Sequence, residues 1–157
     1  MRVLIDTNIL ISAILTNGTP FQAYMKAITH PNTAIICRQN VNELRRIFAR
    51  KFPRKTEAME QFLLLALQSV ELVAVPEQPV PAEKKIRDAA DRPILRAALA
   101  ANADILLTGD KDFLEAGLVK PRILSAMEFY SDKEHSVGDQ MIPSSSSKYS
   151  FLSSPPA

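Results

Sequence analysis

Five acidic residues, Asp6, Glu43, Asp91, Asp110 and Asp112, stand where one fold could gather them. Asp6 directly follows the apolar run Val3-Leu4-Ile5. Asp110 follows Ile105-Leu106-Leu107 across Thr108-Gly109, and Asp112 comes two residues later. Asp91 opens the alanine-rich segment that leads into that run, and Glu43 follows Ala34-Ile35-Ile36-Cys37. Two carboxylates about 4–5 Å apart repel by roughly 3–4 kcal/mol at an effective dielectric of 20. A cluster of four or five, with no Arg or Lys between them, requires protonation or a cation. Hard oxygen ligands select Mg²⁺ or Mn²⁺ over Zn²⁺. Neither histidine competes as a ligand, because His30 precedes Pro31 in a turn and His135 lies in a polar tail. Cys37 ends a strand and reads as a small buried hydrophobe.

Taken singly, each acid has a plainer explanation. Asp6, Asp91 and Asp112 can cap helices and Asp110 can make the turn after Gly109. Glu43 can pair with Arg46 at i+3, worth about 0.2–0.5 kcal/mol. It sits beside Leu44 and one turn before Ile47, at the margin of the apolar stripe, where a charge calls for a partner. Residues 38 to 55 carry seven basic side chains against this single acid, a net of +6. That stripe is either a solvated helix face or a track for a phosphate backbone. Arg46 and Arg50, at i+3 and i+7 from Glu43, share its face and are the candidate contacts to such a backbone. Acids that hold a divalent ion beside cations that hold a strand suggest phosphodiester hydrolysis.

Such convergence demands a particular scaffold. Strands are expected at Val3–Ile5, Ala34–Cys37, Leu72–Val75, Ile105–Leu107 and Arg122–Leu124. Between them, helices are expected at Ile9–Leu15, Phe21–Ile28, Asn40–Lys51, Thr56–Gln68 and Asp91–Ala103, with a last one at Ser125–Tyr130. Thr56 and Asp91 read as N-caps, and Glu43 falls in the first turn of its helix. Continuous apolar strands separated by helices predict an α/β fold with a central parallel sheet covered on both faces. In such sheets ligands bind beyond the carboxyl ends of the strands, where these acids stand. The four glycines lie too far apart to form a phosphate loop.

The chain has 157 residues, 46% apolar and 23% charged, with a net charge of +2. Residues 1–130 read as one folded unit. Residues 131–157 hold nine serines and three prolines without a sustained apolar period, and read as a disordered tail. A single cysteine forms no internal bridge. No segment reaches the roughly 18 apolar residues of a membrane span, and Asp6 interrupts any signal-like start, so the expected location is the cytoplasm.

Four segments carry a family resemblance. Residues 1–10, MRVLIDTNIL, resemble the opening of PIN-domain nucleases. Asn42-Glu43-Leu44, the stretch RDAADRPILRAA at 87–98 and the stretch ADILLTGDKDFL at 103–114 match their second, third and fourth acidic positions. The resemblance spans about residues 1 to 130 and is nearest the VapC-like toxins of bacterial toxin–antitoxin pairs. It implies a three-layer α/β/α sandwich and a Mg²⁺- or Mn²⁺-dependent endoribonuclease, often a homodimer, inhibited by a small antitoxin. Carried over by residue, Asp6, Glu43, Asp91 and Asp110 form the acidic set, and Asp6, Asp91, Asp110 and Asp112 the metal ligands. Thr7 and Asn8 match the strand-end turn, and Thr108 the hydroxyl of the T-G-D segment. Ala89 departs from the family's usual Pro, which makes Asp88 an alternative to Asp91, and the tail belongs to no part of the pattern. The alternative function is a non-catalytic PIN module that binds RNA or a protein partner.

Overall fold

The computed structural model describes residues 1–132. Five short strands, β1 (Arg2–Ile5), β2 (Thr33–Cys37), β3 (Val70–Val73), β4 (Ile105–Leu107) and β5 (Arg122–Leu124), pair in parallel in the order β3-β2-β1-β4-β5. Leu4 of β1 lies opposite Ile35 on one side and Leu106 on the other. Strand residues alternate between two cores, as the pleat requires. Val3, Ile5, Ala34, Ile36, Ile105 and Leu107 face α1 (Thr7–Leu15), α2 (Thr19–Ile28), α3 (Arg38–Lys51), α4 (Thr56–Ser69) and α7 (Ala126–Ser131). Leu4, Ile35, Cys37 and Leu106 face α5 (Arg92–Ala100) and Phe113 of the short α6 (Lys111–Leu114). Helices on both faces of a parallel sheet make the α/β/α sandwich. The chain runs outward from β1 through β2 to β3, then returns to place β4 against the free side of β1. The seam between β1 and β4 is the point where strand order reverses, and their carboxyl ends open a crevice there.

Several element limits differ from expectation, each for a local reason. Helix α3 starts at Arg38, two residues early, because the Asn40 side chain accepts from the Cys37 N–H (3.0 Å) and Sγ–H (3.1 Å) and closes the first turn. Glu43 therefore stands in the second turn. Lys55 occupies the N-cap of α4, and the Thr56 hydroxyl instead donates to the Pro53 carbonyl across a 3-10 turn (3.0 Å). Helix α4 passes straight into β3, which begins two residues earlier than its apolar pattern indicates. Asn102 adopts φ 53 and stops α5 at Ala100, while the Ala103 N–H returns to the Ala98 carbonyl (2.9 Å). Ser125 caps α7 as expected, in reciprocal hydrogen bonds with Glu128.

The C-terminal turn is fastened to α2. Lys26 Nζ donates to the carbonyls of Phe129 (2.6 Å) and Asp132 (2.7 Å) and lies over the Phe129 ring. Asp132 also pairs with Arg122 at 3.5 Å. The fold thus runs two residues past the 130 limit read from sequence. The tail expectation falls on residues 133–157, which lie outside the described residues. Both cores are built from residues up to Phe129, which is fully buried. A chain ending at Asp132 is expected to melt within about 1 kcal/mol of the full chain. One ending at Glu128 should lose about 3–5 kcal/mol with the Phe129 side chain. Equilibrium urea unfolding of both truncations checks this.

Candidate functional site

Helix α1 follows β1 without a loop, so Asp6 is both strand end and helix cap. Its Oδ1 accepts from the Thr7 N–H (2.8 Å), which fixes the carboxylate over the β1–β4 seam. Its Oδ2 accepts from the Thr108 hydroxyl (2.7 Å), and Thr108 stands at the end of β4. The same Thr108 oxygen accepts from the Asp110 N–H (3.0 Å) and, at 3.4 Å, from the Asn8 amide. Asn8 in turn takes the Gly109 N–H (3.0 Å). This mesh ties the ends of β1 and β4 together and sets Asp6 and Asp110 side by side. Asp110 then caps α6 through the Asp112 N–H (2.9 Å).

The third acid arrives from the long connection between β3 and α5. Asp88 caps a 3-10 turn at Ala89–Asp91 by accepting from the Ala90 N–H (2.9 Å). Asp91 makes no cap bond, contrary to its expected role. Its carboxyl group lies close enough to Asp110 and Asp6 to feel their charges. On the outer side, Asp88, Asp91 and Asp112 each place a carboxylate oxygen within 4.8 Å of the others. Asp91 thus joins an inner group, Asp6 and Asp110, to an outer group, Asp88 and Asp112.

Glu43 approaches from α3. It accepts from the Thr7 hydroxyl (2.9 Å) and from the Gln39 amide (3.0 Å). Thr7 accepts in turn from buried Asn40 (3.0 Å), so α3 is keyed to the β1 end through three side chains. The Gln39 amide also donates to the Ala90 carbonyl (2.9 Å), spanning the gap between α3 and the turn that carries Asp91. These partners stand in place of the alternative Glu43–Arg46 pair, which forms no ion pair among the described residues. Arg46 lines an open groove beside Glu43, and Arg50 is exposed one turn further along α3.

The acids were expected to gather without an Arg or Lys among them, and at the outer edge this is not so. Arg87, mostly solvent-exposed, pairs with Asp112 at 2.6 Å. The inner acids have no such relief. Burial, with repulsion from Glu43 and Asp110, pushes the Asp6 carboxyl up to about 6 despite its hydrogen bonds from Thr108 and Thr7. Burial first, and then the neighbouring Asp110 and the charges of Asp6 and Asp88, pushes Asp91 up to about 7. Carboxylate oxygens gathered here, with buried Asp6 and half-buried Asp91 resisting ionisation, fit a hard divalent cation.

Asp88, Gln39 and Asn40 are site residues that spacing alone did not single out. Asp88 was visible only as an alternative to Asp91. The i, i+4 relation of Gln39 to Glu43 was a legible signal, whereas the partners of Asn40 and the Ala90 carbonyl are tertiary.

Residues 2–112 match the family model for the PIN domain. No curated protein matches the chain. Among solved structures, the chain is similar to VapBC2 from Rickettsia felis, bound to a DNA fragment from their promoter. The TM-score is 0.62 at 19% identity, over 80% of this chain and 98% of that one. It is also similar to FitAB bound to the IR36 DNA fragment, with a TM-score of 0.58 at 20% identity, over 85% of this chain and 99% of that one. At these identities the likeness is one of fold.

The raised acids make a signed prediction. A folded pKa above the unfolded value gives stability that is present below pH about 4 and lost as pH rises through about 6. The Asp6→Asn protein lacks this titration. In EDTA, its stability relative to wild type should therefore increase between pH 4 and 8, by on the order of 2–3 kcal/mol. Saturating Mn²⁺ should reverse the trend by stabilising wild type alone. Melting curves across pH, with and without Mn²⁺, check both.

Proposed function

Because the chain belongs to the PIN-domain family, we propose that it is a divalent-metal-dependent endoribonuclease acting as the toxin of a toxin–antitoxin pair. The observation that carries this reading is the convergence of Asp6, Asp91 and Asp110, with Glu43 at their margin, at the β1–β4 seam. Both solved relatives are toxin–antitoxin complexes, which supports a small antitoxin protein as partner. Homodimerisation belongs to the same proposal, as does action in the cytoplasm. Among the described residues no helix is long and apolar enough to cross a membrane.

In this reading Asp6, Asp91 and Asp110 hold a Mg²⁺ or Mn²⁺ ion, with Asp112 as a further ligand. When bound, such an ion lowers the pKa of a water and offsets charge on the phosphate and leaving oxygen. The chain's own residues supply position. Thr108 and Thr7 direct the two oxygens of Asp6 and hold them deprotonated more readily than burial alone would allow. Thr7 and Gln39 present Glu43 from the opposite wall, where it can orient a water or accept its proton. Arg46 and Arg50 give the RNA backbone a cationic path along α3, which positions the strand without reading sequence.

Two outcomes test this. Asp6→Asn, Glu43→Gln, Asp91→Asn and Asp110→Asn should each reduce RNA cleavage by at least about 100-fold, because each removes a charge that the reaction uses. EDTA should abolish cleavage and Mg²⁺ or Mn²⁺ restore it. Wild-type cleavage by Asp91→Asn would move the third acid to Asp88. Separately, Arg46→Ala with Arg50→Ala should flatten the salt dependence of RNA binding by about 0.7 in log–log slope per lost contact. Mn²⁺ affinity, measured by calorimetry, should be unchanged. An unchanged slope with weakened antitoxin binding would assign these arginines to the antitoxin instead.

A further inference from the structure

Beside Glu43, and outside the acid cluster, lies an open groove of about 570 Å³. One wall is α3, where Arg38, Asn42 and Arg46 form an i, i+4, i+8 row with about 6 Å of rise per step. The facing wall is the backbone segment after β3, with the small side chains of Ala74 and Val75. At the end next to Glu43 the groove is closed by Ala90 of the 3-10 turn, whose carbonyl accepts from the Gln39 amide of α3 at 2.9 Å. The charges in this groove are available. Arg45, the neighbour of Arg46, is paired with Glu60 on α4, and Arg2, Arg87 and Arg96 are paired with Glu71, Asp112 and Glu83. Arg38 and Arg46 have no acidic partner among the described residues, and both are exposed.

We propose that this groove is a nucleotide subsite that holds the single-stranded RNA flanking the scissile phosphate. Arg38 and Arg46 take its phosphates, the Ala74–Val75 wall lies against a base, and Asn42 meets that base's edge. The inference rests on the ribonuclease reading above and deepens it. Two features favour a nucleotide over an acidic peptide. Cations and an amide alternate along one row, so that phosphates and a base edge find partners in turn, and the opposing wall at Ala74 and Val75 is small and apolar, a surface for a base face.

The test uses the full chain and a fluorescein-labelled single-stranded RNA dodecamer of mixed sequence, with anisotropy read in EDTA so that no cleavage occurs. Arg38→Ala and Arg46→Ala should each lower affinity about fivefold at 0.1 M salt, the amount one lost single-strand contact represents between 0.1 and 1 M. Ala74→Glu, which adds a negative charge to the facing wall, should lower it at least as far, and Lys84→Ala, outside the groove, should not. Asn42→Ala should change the preference among the four homopolymer competitors more than the mean affinity. Mn²⁺ binding by calorimetry should be the same in all variants. If wild type binds and cleaves RNA while the Arg38, Arg46 and Ala74 variants bind normally, the groove assignment is wrong and the ribonuclease reading stands. If wild type neither binds nor cleaves RNA, both fall. Binding of an oligo-glutamate peptide that competes with RNA more strongly than a DNA dodecamer does would reassign the groove to an acidic protein partner.

Discussion

The Thr108 hydroxyl, at the end of β4, donates to the Asp6 carboxylate at the end of β1 and accepts from the backbone of Asp110. Through this one oxygen the two strands that meet at the reversal of strand order also fix the relative positions of two acids. The arrangement works against itself electrostatically. The hydrogen bonds draw Asp6 toward ionisation, while burial and the charges of Glu43 and Asp110 oppose it, and burial prevails. A buried carboxylate in this state has surplus affinity for any cation that can reach it. The remainder of the architecture brings other acids to the same place without neutralising them.

Each neighbouring element does so through a different device. Helix α3 is keyed to the β1 end by the chain Asn40–Thr7–Glu43, which uses neutral donors only. The 3-10 turn before α5 brings Asp91 in with its cap duty transferred to Asp88, so its carboxyl group is free to lie near Asp110. The connection that carries this turn is held from behind by Arg96, which bonds Glu83 at 2.7 Å and the Pro76 carbonyl at 3.0 Å. The only cation on the cluster among the described residues, Arg87, touches the outermost member, Asp112. Burial is thus graded from Asp6 outward, and so is access to counter-charge.

Asp6 and Asp110 were legible because an acid that directly follows an apolar strand has one place to go in a parallel sheet. The parallel sheet and its two-faced burial followed from the same apolar runs, whereas the order of the strands came only with the structure. Glu43 was legible as a charge at the margin of an apolar stripe that calls for a partner, but the partner itself was not. An i+3 arginine is visible in sequence, whereas the Thr7 hydroxyl comes within reach only once β1 and α3 are packed. The start of α3 was misplaced for a related reason. Cysteine is a weak cap signal, and Asn40 closes the turn from inside the helix rather than before it. Asp91 was read as a cap because no local rule distinguishes a helix that begins at Asp91 from one preceded by its own 3-10 turn. The i, i+4 relation of Gln39 to Glu43 was visible, but its second partner was not, since the Ala90 carbonyl is contributed by a loop whose path depends on Glu83 and Arg96.

The distribution of charge along α3 connects the site to its surroundings. The helix presents Glu43 toward the sheet edge and Arg38, Arg46 and Arg50 outward, so the sign of the field changes across less than the width of one helix. A polyanion approaching the acid cluster directly meets repulsion from several carboxylates within a Debye length of one another. One approaching along α3 meets cations first and reaches the carboxylates only at Glu43. The same geometry links the two kinds of ligand. A cation bound among Asp6, Asp91 and Asp110 would lower the repulsion felt by a polyanion lying on α3, and a polyanion there would raise the affinity of the acids for the cation. By linkage the two effects are equal in free energy. The pairing of Arg45 with Glu60 on α4 leaves Arg38 and Arg46 as the cations that line the groove beside Glu43.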